Sequence, residues 1–213
     1  MKIGDPIAAS EVSFVMAKSP EEWERARAEA FGPLASELGW VVYEWNRLQA
    51  ALAELFTDIV SPDNRTVPFA IWHSQTNERA QREMLRAALD AAHAATASRA
   101  HKDIIWLLNK VDALAGKRND ALHCPLVFIR TLDARGENEG IEISPMDFFG
   151  NPRAKTLRDK PLLEEFKWYR DHLSRLAQFS EALHYAITFL NDYTWPDRPE
   201  LPPRDQDRNA FEA

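Results

Sequence analysis

Six consecutive residues carry the chemistry most readily seen in this 213-residue chain: Arg118-Asn119-Asp120-Ala121-Leu122-His123. A guanidinium such as that of Arg118 grips a phosphate through a planar, bidentate fork. An imidazole such as that of His123 moves protons near neutral pH. Asn119, directly after the arginine, can cap a helical turn or orient a polar neighbour. On an ideal helix, five steps of about 100° put Arg118 and His123 about 140° apart, so the two edge one cleft without stacking. The bare spacing recurs at Arg86 and His93. Context separates the first pair, because Gly116-Lys117 precedes it and a helix is predicted to end there. The plain structural alternative pairs Arg118 with a surface acid such as Asp112 and leaves His123 as a capping residue.

A second pattern is an acid three residues before a histidine. It occurs at Asp90…His93, Asp120…His123 and Glu181…His184. On a helix these positions share a face and can ligate one metal, with Glu44 or Glu54 as inward carboxylates. Solvated helix faces or capped histidines account for the same pattern without metal. Cys124 adjoins His123, but consecutive side chains point apart, so it reads as a small buried residue and not as a nucleophile. His73, His101, His172 and His184 read as surface or boundary residues. Arg153, Lys155, Arg158 and Lys160 form a basic loop that either is simply solvated or guides a polyanion towards Arg118. No phosphate-binding glycine loop, nucleophile elbow or zinc-protease motif occurs.

The elements that position these residues are mostly helical. Ser19-Pro20-Glu21-Glu22 holds an N-cap, a proline at the first helical position and a glutamate three after the cap. It predicts a short helix to about Ala30. Leu34, Leu38, Val41, Trp45, Leu48, Leu52, Leu55 and Ile59 alternate spacings of four and three, the stripe of one long amphipathic helix. Ser61-Pro62-Asp63-Asn64 breaks it. A second long helix is predicted from Pro68 to about Ala97, with Ile71, Met84, Leu85, Ala88 and Leu89 inward. A third is predicted from Ser98 to Ala115, with Gly116 ending it. Leu126–Ile129 and Ile141–Ile143 read as the strands of a hairpin. The last long helix is predicted from Pro161, on the stripe Leu162, Phe166, Tyr169, Leu173, Leu176, Ser180, Leu183, Ile187, Leu190.

These elements predict an all-α chain: an antiparallel four-helix bundle with a small β-hairpin inserted before the last long helix. Three regions are expected. Residues 1–32 form an N-terminal extension with a short helix, 33–194 the bundle with its hairpin at about 125–145, and 195–213 a proline-rich, disordered tail.

Composition narrows the setting. Apolar residues are 45 % and charged residues 28 % of the chain, the balance of a globular domain. No apolar run approaches the length of a membrane span, and the N-terminus lacks the character of a secretory signal. The single cysteine excludes an intramolecular disulfide framework, so a cytoplasmic home is expected. A net charge of −7 argues against sequence-independent binding along a polyphosphate.

The motif within four long helices resembles the HEPN family. These are helical bundles marked by an arginine, four to six residues and a histidine, commonly with a polar residue after the arginine. Arg118-Asn119-Asp120-Ala121-Leu122-His123 matches that pattern, and the resemblance spans roughly Leu34 to Leu190. It implies a metal-independent endoribonuclease without cofactor, acting as a homodimer with one motif from each subunit facing a shared cleft. On this resemblance Arg118, Asn119 and His123 are catalytic, while Lys117, Arg153, Lys155 and Arg158 contact RNA. Many members act as toxins or in phage defence, so an antitoxin or regulatory protein is a further expected partner. Two alternatives stand beside it: a non-catalytic, degenerate interaction or RNA-binding module, and a metal-binding carboxylate–histidine bundle.

Overall fold

The computed structural model describes residues 19–92, 99–132, 139–147, 150–189 and 192–203. Among these it is mostly helical, with one two-stranded antiparallel sheet. Helix α1 spans Pro20–Val60, α2 Thr66–Ser74, α3 Glu78–Ala92 and α4 Arg99–His123. Strands β1 (Leu126–Leu132) and β2 (Glu139–Pro145) follow, then α5 (Pro152–Leu157) and α6 (Leu162–Thr188).

The start of α1 is the capping box that its sequence encodes: Ser19 Oγ accepts from the Glu22 amide, and Glu22 Oε2 accepts from the Ser19 amide. The helix does not stop at Ala30. It runs through Gly32 and Pro33 as one element of 41 residues, so residues 20–32 are no separate extension. Proline cannot donate to the carbonyl four residues back. Packing of Phe31 and Leu34 against the core on either side of it offsets that loss. The predicted stripe then faces inward: Leu34, Val41, Trp45, Leu48, Leu52 and Leu55 are all buried.

The second predicted helix is two. Gln75 leaves the helical region with ψ 122°, and Asn77 Oδ1 accepts from the Arg79 amide at 2.9 Å, starting α3 afresh. Ile71, predicted inward, is exposed, and its neighbour Trp72 is buried in its place. The end of this region near Ala97 lies outside the described residues. Gly116 does not end the third helix. Helix α4 continues to His123, and Pro125 closes it two residues later. The hairpin forms in the predicted place, with Phe128 paired to Ile143. The basic stretch after it is not a loop: Asn151 Oδ1 caps α5 by accepting from the Arg153 amide.

The long helices are not all antiparallel. Helices α1 and α6 run parallel, since Glu37 pairs with Arg170 and Arg47 with Glu181, rising together along both chains. Helix α4 runs against α6, with Lys117 on Trp168 and Trp106 on Phe179. It also runs against α3, with Asp112 on Arg82 and His101 on Asp90. The parallel pair follows from connectivity: α4 itself runs back to the end where α6 begins, and the hairpin and α5 lie between the two at that end.

Part of the tail is not disordered. Trp195 Nε1 donates to Asp103 Oδ2 at 2.8 Å, and Arg198 Nε to Asp103 Oδ1 at 2.6 Å. Trp168 Nε1 donates to the Pro202 carbonyl at 3.1 Å. Prolines suit such a strap because they adopt an extended backbone at little entropic cost. Residues 204–213 lie outside the described residues. No helix among the described residues is long and apolar enough to cross a membrane.

Candidate functional site

Because α4 is unbroken, Arg118 and His123 keep the angular offset of a regular helix and leave it in different directions. Arg118 turns towards α1 and α3. Its guanidinium carbon lies 5.0 Å from the centre of the Trp45 ring, a cation–π contact. Its Nη2 is 3.6 Å from Glu78, and its Nη1 donates to Asn119 Oδ1 at 2.9 Å. Glu78 also accepts from Trp45 Nε1 at 2.9 Å, so one carboxylate anchors the indole and the arginine together. The partner acid is therefore Glu78 of α3. Asp112 instead holds Arg82 and Arg86, each at 2.6 Å. Burial opposes ionisation of Asp112, but the two guanidiniums prevail and hold its carboxyl below the usual range.

His123 is exposed on the last turn of α4, and its side chain makes no hydrogen bond or ion pair among the described residues. It is not a capping residue. Its neighbour Cys124 is buried, and burial beside Asp120 pushes the thiol pKa up, away from a thiolate nucleophile.

The basic candidates separate. Lys117 Nζ sits 4.7 Å from the centre of the Trp168 ring. Arg153 Nη1 donates to the Asn119 carbonyl at 2.8 Å, and Thr156 Oγ1 donates to Asp120 at 2.9 Å. Helix α5 thereby clasps the end of α4. Lys155 is exposed on α5, while Arg158 pairs with Asp147. Arg118, Asn119 and Arg153 are thus contiguous, with His123 one turn onward.

The acid–histidine pairs also resolve. Glu181 is held by Arg47 through two hydrogen bonds, and His184 bonds Asp58 across to α1. Asp120 bonds Thr156, and Asp90 bonds His101, while His93 lies outside the described residues. No group of three or more His, Cys, Asp or Glu side chains among the described residues converges as a metal site. His172 is buried, against expectation, and burial lowers its pKa.

No protein-family model, curated protein or solved structure matches the chain.

Sequence reasoning missed Trp45, Glu78 and Arg82 as neighbours of the motif. Trp45 carried a signal only as a core residue. Glu78 and Arg82 carried none, because the break at Gln75–Asn77 sets how α3 faces α1 and α4.

Proposed function

We propose that the chain is a HEPN-like, metal-independent endoribonuclease, with α1, α3, α4 and α6 as its bundle and a homodimer bringing two α4 ends to one cleft. The observation that carries the reading is the contrast on α4. Arg118 is fixed by an indole, a carboxylate and an amide, whereas His123, five residues on, is exposed and unengaged. A fixed cation and a free imidazole are what phosphodiester transesterification asks of a protein. The RNA supplies the nucleophile. One His123 takes the proton from the 2′-hydroxyl, and the 2′-oxygen attacks phosphorus. The bond from phosphorus to the 5′-oxygen breaks, and that oxygen takes a proton from the second subunit's imidazole. Arg118 stabilises the charge on the phosphorane oxygens. Asn119 keeps the guanidinium plane in place, and Lys117 and Lys155 contact flanking phosphates. A toxin or defence role, with an antitoxin-type partner, follows from the family resemblance.

One observation favours the degenerate alternative, a helical module that binds without cutting: Arg118 is already held by an indole, a carboxylate and an amide within its own chain. Product analysis distinguishes the two. The nuclease cuts single-stranded RNA in excess chelator and leaves 2′,3′-cyclic phosphate and 5′-hydroxyl ends. Intact RNA, or cleavage that stops on chelation, rejects the proposed chemistry.

A further inference from the structure

A second cluster lies between the C-terminal halves of α1 and α6. Asp58, with a side chain only 2 % exposed, is its centre. Its Oδ1 accepts from Arg65 Nη1 at 2.5 Å and its Oδ2 from His184 Nδ1 at 2.6 Å. With Nδ1 donating to Asp58, Nε2 is the ring nitrogen left to accept. Nε2 has no hydrogen-bond partner among the described residues.

His184 lines an open hollow of about 230 Å³ together with Arg47, Glu54, Glu181 and Tyr185. Small side chains, Ala50 and Ala51, leave the room. Both guanidiniums here are already engaged by carboxylates. Arg47 gives Nε and Nη2 to Glu181 at 2.7 and 2.6 Å and Nη1 to Glu44 at 3.3 Å. Arg65 is shared between Asp58 and Glu54. Four carboxylates (Glu44, Glu54, Asp58, Glu181) thus face two guanidiniums (Arg47, Arg65), two acids more than guanidiniums. Tyr185 contributes an aromatic ring to the lining. Tyr185 stacks with Tyr193 at 5.4 Å and Phe189 at 6.4 Å, and all three rings are about half exposed.

We propose that this hollow binds an organic cation, an alkylammonium or guanidinium group. Its lining offers a newcomer unspent acceptors at Glu54 and His184 Nε2, a local excess of negative charge and the half-exposed Tyr185 ring. Each favours a positively charged N–H donor and disfavours the phosphates of RNA. The site is separate from the α4 end and stands whether or not the chain cuts RNA. The cation belongs either to a free polyamine or to a lysine or arginine of a partner protein.

Calorimetric titration of the full chain with three probes tests this: agmatine, N-acetyl-arginine amide and the neutral isostere N-acetyl-citrulline amide. Both cations bind, and the citrulline compound binds at least about tenfold more weakly, since only charge separates it from arginine. Glu54→Gln and Tyr185→Ala each weaken cation binding by about tenfold. Both side chains are solvent-accessible, and melting curves confirm that the variants fold. Tighter binding of agmatine assigns the site to a free polyamine. Equal or tighter binding of the arginine amide assigns it to a partner's side chain. Failure of both cations to bind at millimolar concentration, equal binding of the citrulline compound, or indifference to both substitutions overturns the proposal.

Discussion

Arg118→Ala lowers RNA cleavage by about 10²- to 10³-fold, the usual effect of deleting one positioned donor to a charged transition state. The same change costs about 1–3 kcal/mol of stability, because it removes the nearer of the two cations on the Trp45 ring and leaves Glu78 with one partner fewer. Arg118→Lys recovers much of the stability and little of the activity. An ammonium group can sit near Glu78 and the indole, but it lacks the planar fork that spans two phosphate oxygens. Melting curves and cleavage assays on both variants measure the two effects separately. Equal recovery of stability and activity by lysine would make Arg118 a point charge and not a phosphate fork.

Trp45→Ala is the most damaging single core change, costing about 3–5 kcal/mol, a large part of the 5–15 kcal/mol that holds a typical domain together. The ring is fully buried, and beyond its packing it joins three helices. Its Nε1 donates to Glu78 of α3, Arg82 of α3 lies 6.0 Å from its ring centre, and Arg118 of α4 lies 5.0 Å from it. Alanine leaves a cavity and two guanidiniums without their aromatic face. Trp45→Phe keeps most of the apolar area and loses the Nε1 hydrogen bond, so it costs nearer 1 kcal/mol. Chemical denaturation gives both values. A cost under about 1 kcal/mol for alanine would mean that α3 and α4 do not depend on this ring.

Local rules made some of the fold legible and left the rest hidden. The stripe from Leu34 to Ile59 and the Ser19 capping box depend on neighbours three and four residues apart, and both appear as expected. The expected ends near Ala30 and at Gly116 failed for one reason. Pro33 and Gly116 are adverse local preferences worth at most a few kcal/mol, and burial of the helix on both sides exceeds them. The break at Gln75–Asn77 had only a weak signal in Asn77, and Ile71, expected inward, is exposed. The parallel pairing of α1 with α6 and the docking of the tail on Asp103 are contacts between distant residues. No local spacing encodes them.

At the candidate site the residue types and the helix end were legible, and the partners were not. The Arg118–Glu78 pairing joins positions 40 residues apart. The Asp58–His184 bond joins positions 126 apart. The acid three residues before His184 drew attention to Glu181, which serves Arg47 instead.

The most direct measurement is the cleavage rate of His123→Ala on single-stranded RNA in chelator, beside its melting curve. His123 is exposed and has no partner among the described residues, so its loss leaves stability and RNA affinity essentially unchanged. Cleavage falls by about 10²- to 10⁴-fold, because the group that moves the proton is gone. A folded His123→Ala protein that cuts RNA at the wild-type rate contradicts the account.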